Sequence, residues 1–290
     1  MNRFVSTRKK SGTSILPFTI AWRLAMTESP YLIDLLMKFT DVSNEEKCSS
    51  RLSLRDKLGF LYACKASLLK QKYYNTGQFG KWGLRHNYSE AVFPGKEPGN
   101  LDAYDFDNKR LMGSQLVGFD YSWCITYLDK EDSNIKSQFE NGSPLDPTLA
   151  PSDPYAWLPD SADKVVEYLE AYAGQSENAK FGIDSEQPFF IYWDPPSPHD
   201  PIVPNEAFVG KSGAGLYGDF VLEVDHYIGS MLNALDRLNL AENTMVVFAS
   251  DNGPATGVYE RVQEFGHYSM GVRRGMKTDV LEGGHRVPLV

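Results

Sequence analysis

Four polar stations in the sequence carry side chains suited to chemistry on an anion. Asp251 and Asn252, within Ser250-Asp251-Asn252-Gly253, offer hard oxygen donors of the kind Ca²⁺ or Mg²⁺ prefers. The same triplet also suits a tight turn whose side chains bond only their own backbone. His199, framed by Pro198 and Asp200-Pro201, sets an imidazole in a stiff loop, where it either donates to an anion or faces solvent. Lys81 precedes Trp82, so its ammonium either binds an anion or extends past an indole on which its stem packs. Lys277, shortly before Glu282-Gly283-Gly284, poses the same choice. Each station taken singly is compatible with a structural role.

Positioning these groups requires elements that end together. Pro188-Phe189-Phe190-Ile191-Tyr192-Trp193 is an apolar run of strand length. Tyr217, Phe220, Val221, Val224, Ile228, Met231, Leu232, Leu235 and Leu238 then recur at three- and four-residue steps, which predicts an amphipathic helix of about six turns. Asn239 helps to end it, and Met245-Val246-Val247-Phe248-Ala249 is expected to follow as a buried strand. Strand, helix and strand make a right-handed crossover with parallel strands. Ligands of open α/β sheets bind beyond the carboxyl ends of such strands, where Ser197–Pro201 and Ser250–Gly253 fall. Gly80-Lys81-Trp82 follows a helix expected around Leu58 to Lys72. The Pro-, Asp- and Ser-rich stretch from Asn141 to Pro159 is expected to be a surface loop.

The chain of 290 residues is 42% hydrophobic and 23% charged, an ordinary composition for a globular α/β protein. A net charge of −9 without a Lys/Arg cluster beside an aromatic platform argues against nucleic acid as a partner. Cys48, Cys64 and Cys124 are too few for a disulfide framework. No apolar run is long enough to span a bilayer. Arg8-Lys9-Lys10 before Ile15–Trp22 has the order of a secretion signal, but Arg23 cuts the run short and no small-x-small cleavage site follows within it.

Taken together the stations are specific. Gly80-Lys81-Trp82, Pro198-His199-Asp200-Pro201, Ser250-Asp251-Asn252-Gly253-Pro254 and Arg274-Gly275-x-Lys277 through Glu282–Pro288 resemble, in order, the successive motifs of the type I sulfatases. Gly118-Phe119-Asp120-Tyr121, the helix from Gly218 to Leu240 and the following Asn243-Thr244 are similar to further landmarks of that family. The likeness runs from about Thr27 to the end and is strongest from Phe189 onward. It implies an alkaline-phosphatase-like α/β sandwich with a mostly parallel central sheet flanked by helices. It also implies a sulfated small molecule or glycan as substrate, and a secreted or lysosome-like compartment. The family's nucleophile is a formylglycine made from the cysteine of Cys-x-Pro-x-Arg, whose hydrate attacks sulfur beside a calcium ion. The resemblance thereby assigns Asp251 and Asn252 to Ca²⁺, and Lys81, His199 and Lys277 to the sulfate oxygens.

Cys48-Ser49-Ser50-Arg51 resembles that nucleophile motif with its proline missing and its arginine one position early, which makes Cys48 and Arg51 the matching catalytic residues. Cys64 has no following arginine and is expected to be a packed core thiol. Three departures from the family pattern bear on activity. No Asp or Glu occurs between Met1 and Met26, where the paired aspartates of the family's first strand belong; Gly83 replaces a histidine after the tryptophan; and the chain ends at Val290 before the C-terminal subdomain. The expectation is an atypical segment over 1–26 and an incomplete sulfatase-like domain over 27–290. Its calcium site should be weak and its conversion of Cys48 to formylglycine inefficient. Two alternatives stay open: an inactive pseudo-sulfatase or fragment that keeps an anion-binding edge, and a phosphoryl-transfer relative using Ser49 or Ser50.

Overall fold

In the computed structural model the described residues are 66–82, 93–94, 105, 113–127, 136–146, 152–177, 179–255 and 257–290, all within the compact unit Ser53–Val290. The other unit, Met1–Leu52, lies outside them. A five-stranded sheet is built from β1 (Asn75–Lys81), β2 (Tyr121–Tyr127), β3 (Lys136–Glu140), β4 (Ser143–Pro144) and β5 (Phe189–Asp194), in the order β4-β3-β2-β1-β5. β1 pairs parallel with both β2 and β5, whereas β2–β3 and β3–β4 are antiparallel. The sheet is therefore mixed, with a parallel centre and an antiparallel meander at one edge. Part of the stretch expected as a surface loop instead supplies β4, and its last residues already belong to a helix, α1 (Trp157–Tyr172).

β1 is central although Asn-Thr-Gly-Gln-Phe-Gly-Lys has little intrinsic strand character. Its N-terminal side chains fix it instead. The Asn75 amide donates to the carbonyls of Asp184 (2.8 Å) and Gln187 (3.1 Å) and accepts from the Asp184 N–H (2.9 Å). The Thr76 hydroxyl lies 2.8 Å from both the Gly118 carbonyl and an Asp120 carboxylate oxygen, and Lys70 pairs with the other Asp120 oxygen. Asp120 thus ties together the starts of β1 and β2, at the opposite end of the strands from Lys81.

The core lies between this sheet and α1, which buries Val165, Tyr168 and Leu169. Phe79 meets Tyr168 edge-on at 5.5 Å, and Tyr121 meets Phe181 at 4.8 Å, both favourable aromatic geometries. Alternation along β5 sends Phe189, Ile191 and Trp193 toward this core, while Phe190 and Tyr192 lie near Phe119.

The expected long helix is present as α2, Gly215–Arg237, whose Ala234 and Leu235 join the core with Leu238. Two buried carboxylates fasten its first half to the preceding loop. Asp219 accepts from the N–H groups of Gly210 and Ser212, and Glu223 accepts from the backbone and side chain of Asn205. Asn239, at φ 58°, takes the left-handed conformation that stops the helix.

The buried strand expected at Met245–Ala249 is not formed. Met245 is 88% and Val247 63% exposed, and the segment makes only a short antiparallel bridge, Ala249 to Leu289. A buried strand needs partners for its backbone, and among the described residues none pairs with Met245–Val247 or with the outer edge of β5. The crossover reduces to β5 and α2.

Candidate active site

Parallel pairing brings the carboxyl ends of β1 and β5 to one edge, with Gly80 opposite Asp194. Gly80 sits at φ 94°, and a Cβ there would lie 2.1 Å from the Asp194 carbonyl oxygen. Only glycine fits, and the close approach places Lys81 and Asp194 at the mouth of the two strands. Trp82 continues the chain with its backbone N–H on the Ile125 carbonyl (3.2 Å) and its buried indole against Phe119.

Asp194 is a residue that sequence reasoning missed. Burial pushes its carboxyl up to about 7; Lys81 pulls against that, and the like charge of Asp251 adds to it. Lys81 and Asp251 therefore each lie within electrostatic reach of Asp194. The signal was available: an acidic residue directly ends the most apolar strand in the sequence.

Asp251 itself is exposed, in a turn that the structure fixes through later residues. The Ser250 hydroxyl donates to the Asn252 carbonyl (2.8 Å), and the Asn252 amide nitrogen to the Gly253 carbonyl (2.9 Å). These bonds leave the Asn252 Oδ1 as an available acceptor. The Gly253 N–H then bonds the Gly284 carbonyl at 2.8 Å, and a Cβ on Gly253 would lie 1.8 Å from the Gly283 oxygen. Gly283 N–H bonds the Arg274 carbonyl (2.7 Å), while Lys277 N–H bonds the Pro254 carbonyl (2.8 Å). Three separate sequence stations, 251–254, 274–277 and 282–284, are thus one interlocked unit, ending in the short helix Glu282–His285.

His199 is exposed five residues beyond Asp194 in the loop after β5. Its Nδ1 lies 3.0 Å from the Asp200 carbonyl, which can only accept, so Nδ1 carries the proton and Nε2 is left for a ligand. Cys48 and Arg51 lie outside the described residues, as does Cys64. Cys124 is a buried free thiol in β2, pushed up to about 12 by burial, and so unsuited to act as a nucleophile. Among the described residues no group of three or more His, Cys, Asp and Glu is gathered to hold a metal ion. The donors nearest that chemistry are the Asp251 carboxylate and Asn252 Oδ1. Both are hard oxygens, and the repulsion between Asp251 and Asp194 is of the kind a cation relieves.

Comparison with known proteins gives this geometry its context. The family model described as Sulfatase matches residues 42–290. N-acetylgalactosamine-6-O-sulfatase of Bacteroides thetaiotaomicron is 30% identical over an alignment of 273 residues, which covers 78% of this chain and 50% of that protein. Human N-acetylgalactosamine-6-sulfatase is 40% identical over 102 residues, 35% of this chain and 19% of that one. A solved sulfatase structure, described under the metabolism of multiple glycosaminoglycans by Bacteroides thetaiotaomicron, superposes with a TM-score of 0.59 at 26% identity, covering 78% of this chain and 53% of that one. The chain spans about half the length of these bacterial relatives.

Proposed function

Since the chain belongs to the sulfatase family, we propose that it hydrolyses the sulfate ester of a sugar, with an amino sugar such as N-acetylgalactosamine 6-sulfate as the test substrate. The amino-sugar assignment follows the names of the relatives. The observation that supports the reading is that Lys81 and Asp251 both act on Asp194 at the end of β5, while the Lys277 backbone is bonded to Pro254 beside the Asp251 turn.

In this reading Lys81 and Lys277 hold the sulfate oxygens as two ammonium charges. His199 donates to the same group from Nε2 when protonated, its ring oriented by the Asp200 carbonyl. Their contribution is charge stabilisation by donors already in place, which commonly accounts for factors of about 10²–10³ per donor. Asp251 and Asn252 Oδ1 would hold Ca²⁺, which when bound polarises the sulfate and lowers the pKa of the attacking oxygen. Cys48 is the residue to be converted to formylglycine, with Arg51 beside it. The missing proline makes conversion slow, so turnover should scale with the converted fraction.

The test is co-expression with the modifying enzyme, followed by mass spectrometry of the Cys48 peptide and assay on N-acetylgalactosamine 6-sulfate. Multiple turnover in proportion to conversion, lost in Cys48→Ala, is the expected result. Equal turnover in Cys48→Ala, or none in fully converted protein, would overturn the proposal.

A further inference from the structure

The helix that follows the Asp251 turn, α3 (Val258–Phe265), carries a feature with no part in holding the sulfate. Gly257, at φ 87°, immediately precedes it as the N-cap, and no side chain caps its first turn. Arg261, one turn into the helix, folds back toward that end: its Nη1 lies 3.1 Å from where a Cβ on Gly257 would stand. The guanidinium lies over the Tyr217 ring, 4.1 Å from its centroid, and its Nε bonds the Ser269 hydroxyl at 3.1 Å.

Arg261 is only 8% exposed, and its Nη2 is buried without a hydrogen-bond partner. No carboxylate among the described residues lies within ion-pair distance of it, and the neighbouring Glu260 acts on it only from further away. A buried guanidinium without a counter-ion is costly, and a helix N-terminus, itself positive, is an unfavourable place to leave one. An anion offsets both costs at once. The planar fork of donors matches a carboxylate or sulfate in two-point contact, and the uncapped amides of the first turn add to it.

We propose that Arg261, with Tyr217 and the N-terminus of α3, is a subsite for a second acidic group on the sugar substrate, a carboxylate or a further sulfate. This rests on the sulfatase reading for the first group only. Gly257 is three residues past Pro254, whose carbonyl bonds the Lys277 N–H, so the two backbone positions are at most about 11 Å apart, and the Lys277 and Arg261 side chains extend from near them. A sulfated disaccharide spans that distance. Nη2 is covered in the free protein, so the acid group must part Arg261 from its cover as it enters.

Calorimetric titration of the full chain tests this with three ligands: N-acetylgalactosamine 6-sulfate, a disaccharide of that sugar with a uronic acid, and glucuronate alone. The uronate disaccharide should bind about tenfold or more tighter than the monosulfate. Arg261→Gln should remove that gain and leave monosulfate affinity unchanged, and Arg261→Lys should keep part of it. Ser269→Ala, which releases Nε but retains the charge, should lose a few-fold on the disaccharide only, and guards against misfolding of the first variant. An undiminished preference for the disaccharide in both Arg261→Gln and Ser269→Ala overturns the subsite, as does equal weakening of both sulfated ligands. Arg261-dependent binding of glucuronate without any binding of the monosulfate would instead retain the subsite and sink the sulfatase reading.

Discussion

Gly253→Ala is the sharpest test of how the Asp251 turn is built. The added Cβ would stand 1.8 Å from the Gly283 carbonyl oxygen, with the Gly283 and Gly284 carbonyl carbons next. These are backbone atoms, so no side chain can swing aside to make room. Moving them costs about 1–3 kcal/mol, the range for overpacked sites. The separation that follows also removes the bond from Gly253 N–H to the Gly284 carbonyl, worth about 1 kcal/mol. The sum, about 2–4 kcal/mol, corresponds to a fall in melting temperature of about 4–8 °C for a unit of this size. Gly229→Ala, in the middle of α2, is the control. A Cβ there meets nothing within 4 Å, and alanine in an unobstructed helix stabilises by about 0.4–1 kcal/mol. The same chemical change should therefore have opposite signs at the two positions. Thermal and urea unfolding followed by circular dichroism would measure both. A Gly253→Ala protein no less stable than Gly229→Ala would refute the claim that the turn is seated on Gly283 and Gly284.

Three further outcomes follow from the geometry. Asp194 binds its proton more tightly folded, at about 7, than its ordinary value of 3.8; its contribution to stability is full below about pH 4 and lost as pH rises through about 7. Asp194→Asn should accordingly gain stability relative to the parent as pH rises from about 4 to about 7, and level off above that, in calcium-free urea titrations, and a constant difference would contradict the assignment. Asn75→Ala removes the side-chain bonds that tie the start of β1 to Asp184 and Gln187 ahead of β5, so unfolding should show a loss of about 2–3 kcal/mol. Lys81→Ala and Lys277→Ala should each lower turnover of converted protein about 10²–10³-fold with little change in melting temperature, and a change in KM alone would assign them to uniform binding instead.

The sequence displayed the parts of the fold that depend on local pattern. The three- and four-residue spacing of apolar side chains marked α2, and the apolar run Phe189–Trp193 marked β5, because each element's burial is written in its own residues. β1 was not legible. Its place at the centre of the sheet is set by Asn75 and Thr76 bonding to residues some 40 to 110 positions away, and Gly77 and Gly80 argue locally against a strand. Met245–Ala249 erred in the other direction: its pattern is that of a strand, but among the described residues it has no ladder to join. The motif residues were identifiable by type and order, and the interlocking of 251–254 with 274–277 and 282–284 explains why they occur as separate stations. Asp194 was visible as an acidic residue ending an apolar run, but its perturbed carboxyl comes from burial and from Lys81 and Asp251, which distant parts of the chain bring to it.

The seating of Gly253 on Gly284 also has a consequence for the growing polypeptide. The Asp251 turn depends on a hydrogen bond to a carbonyl 31 residues further along the chain. It cannot be completed until that later segment has left the ribosome, and at about 5–20 residues per second this is a delay of a few seconds. Through that interval Asp251 and Asn252 belong to an open loop, and Met245–Phe248 is without its bridge to the end of the chain. Vectorial synthesis therefore finishes the sheet before the Asp251 turn, and a ribosome paused between residues 254 and 283 would carry a nascent chain with its core strands made and Asp251 and Asn252 still unplaced.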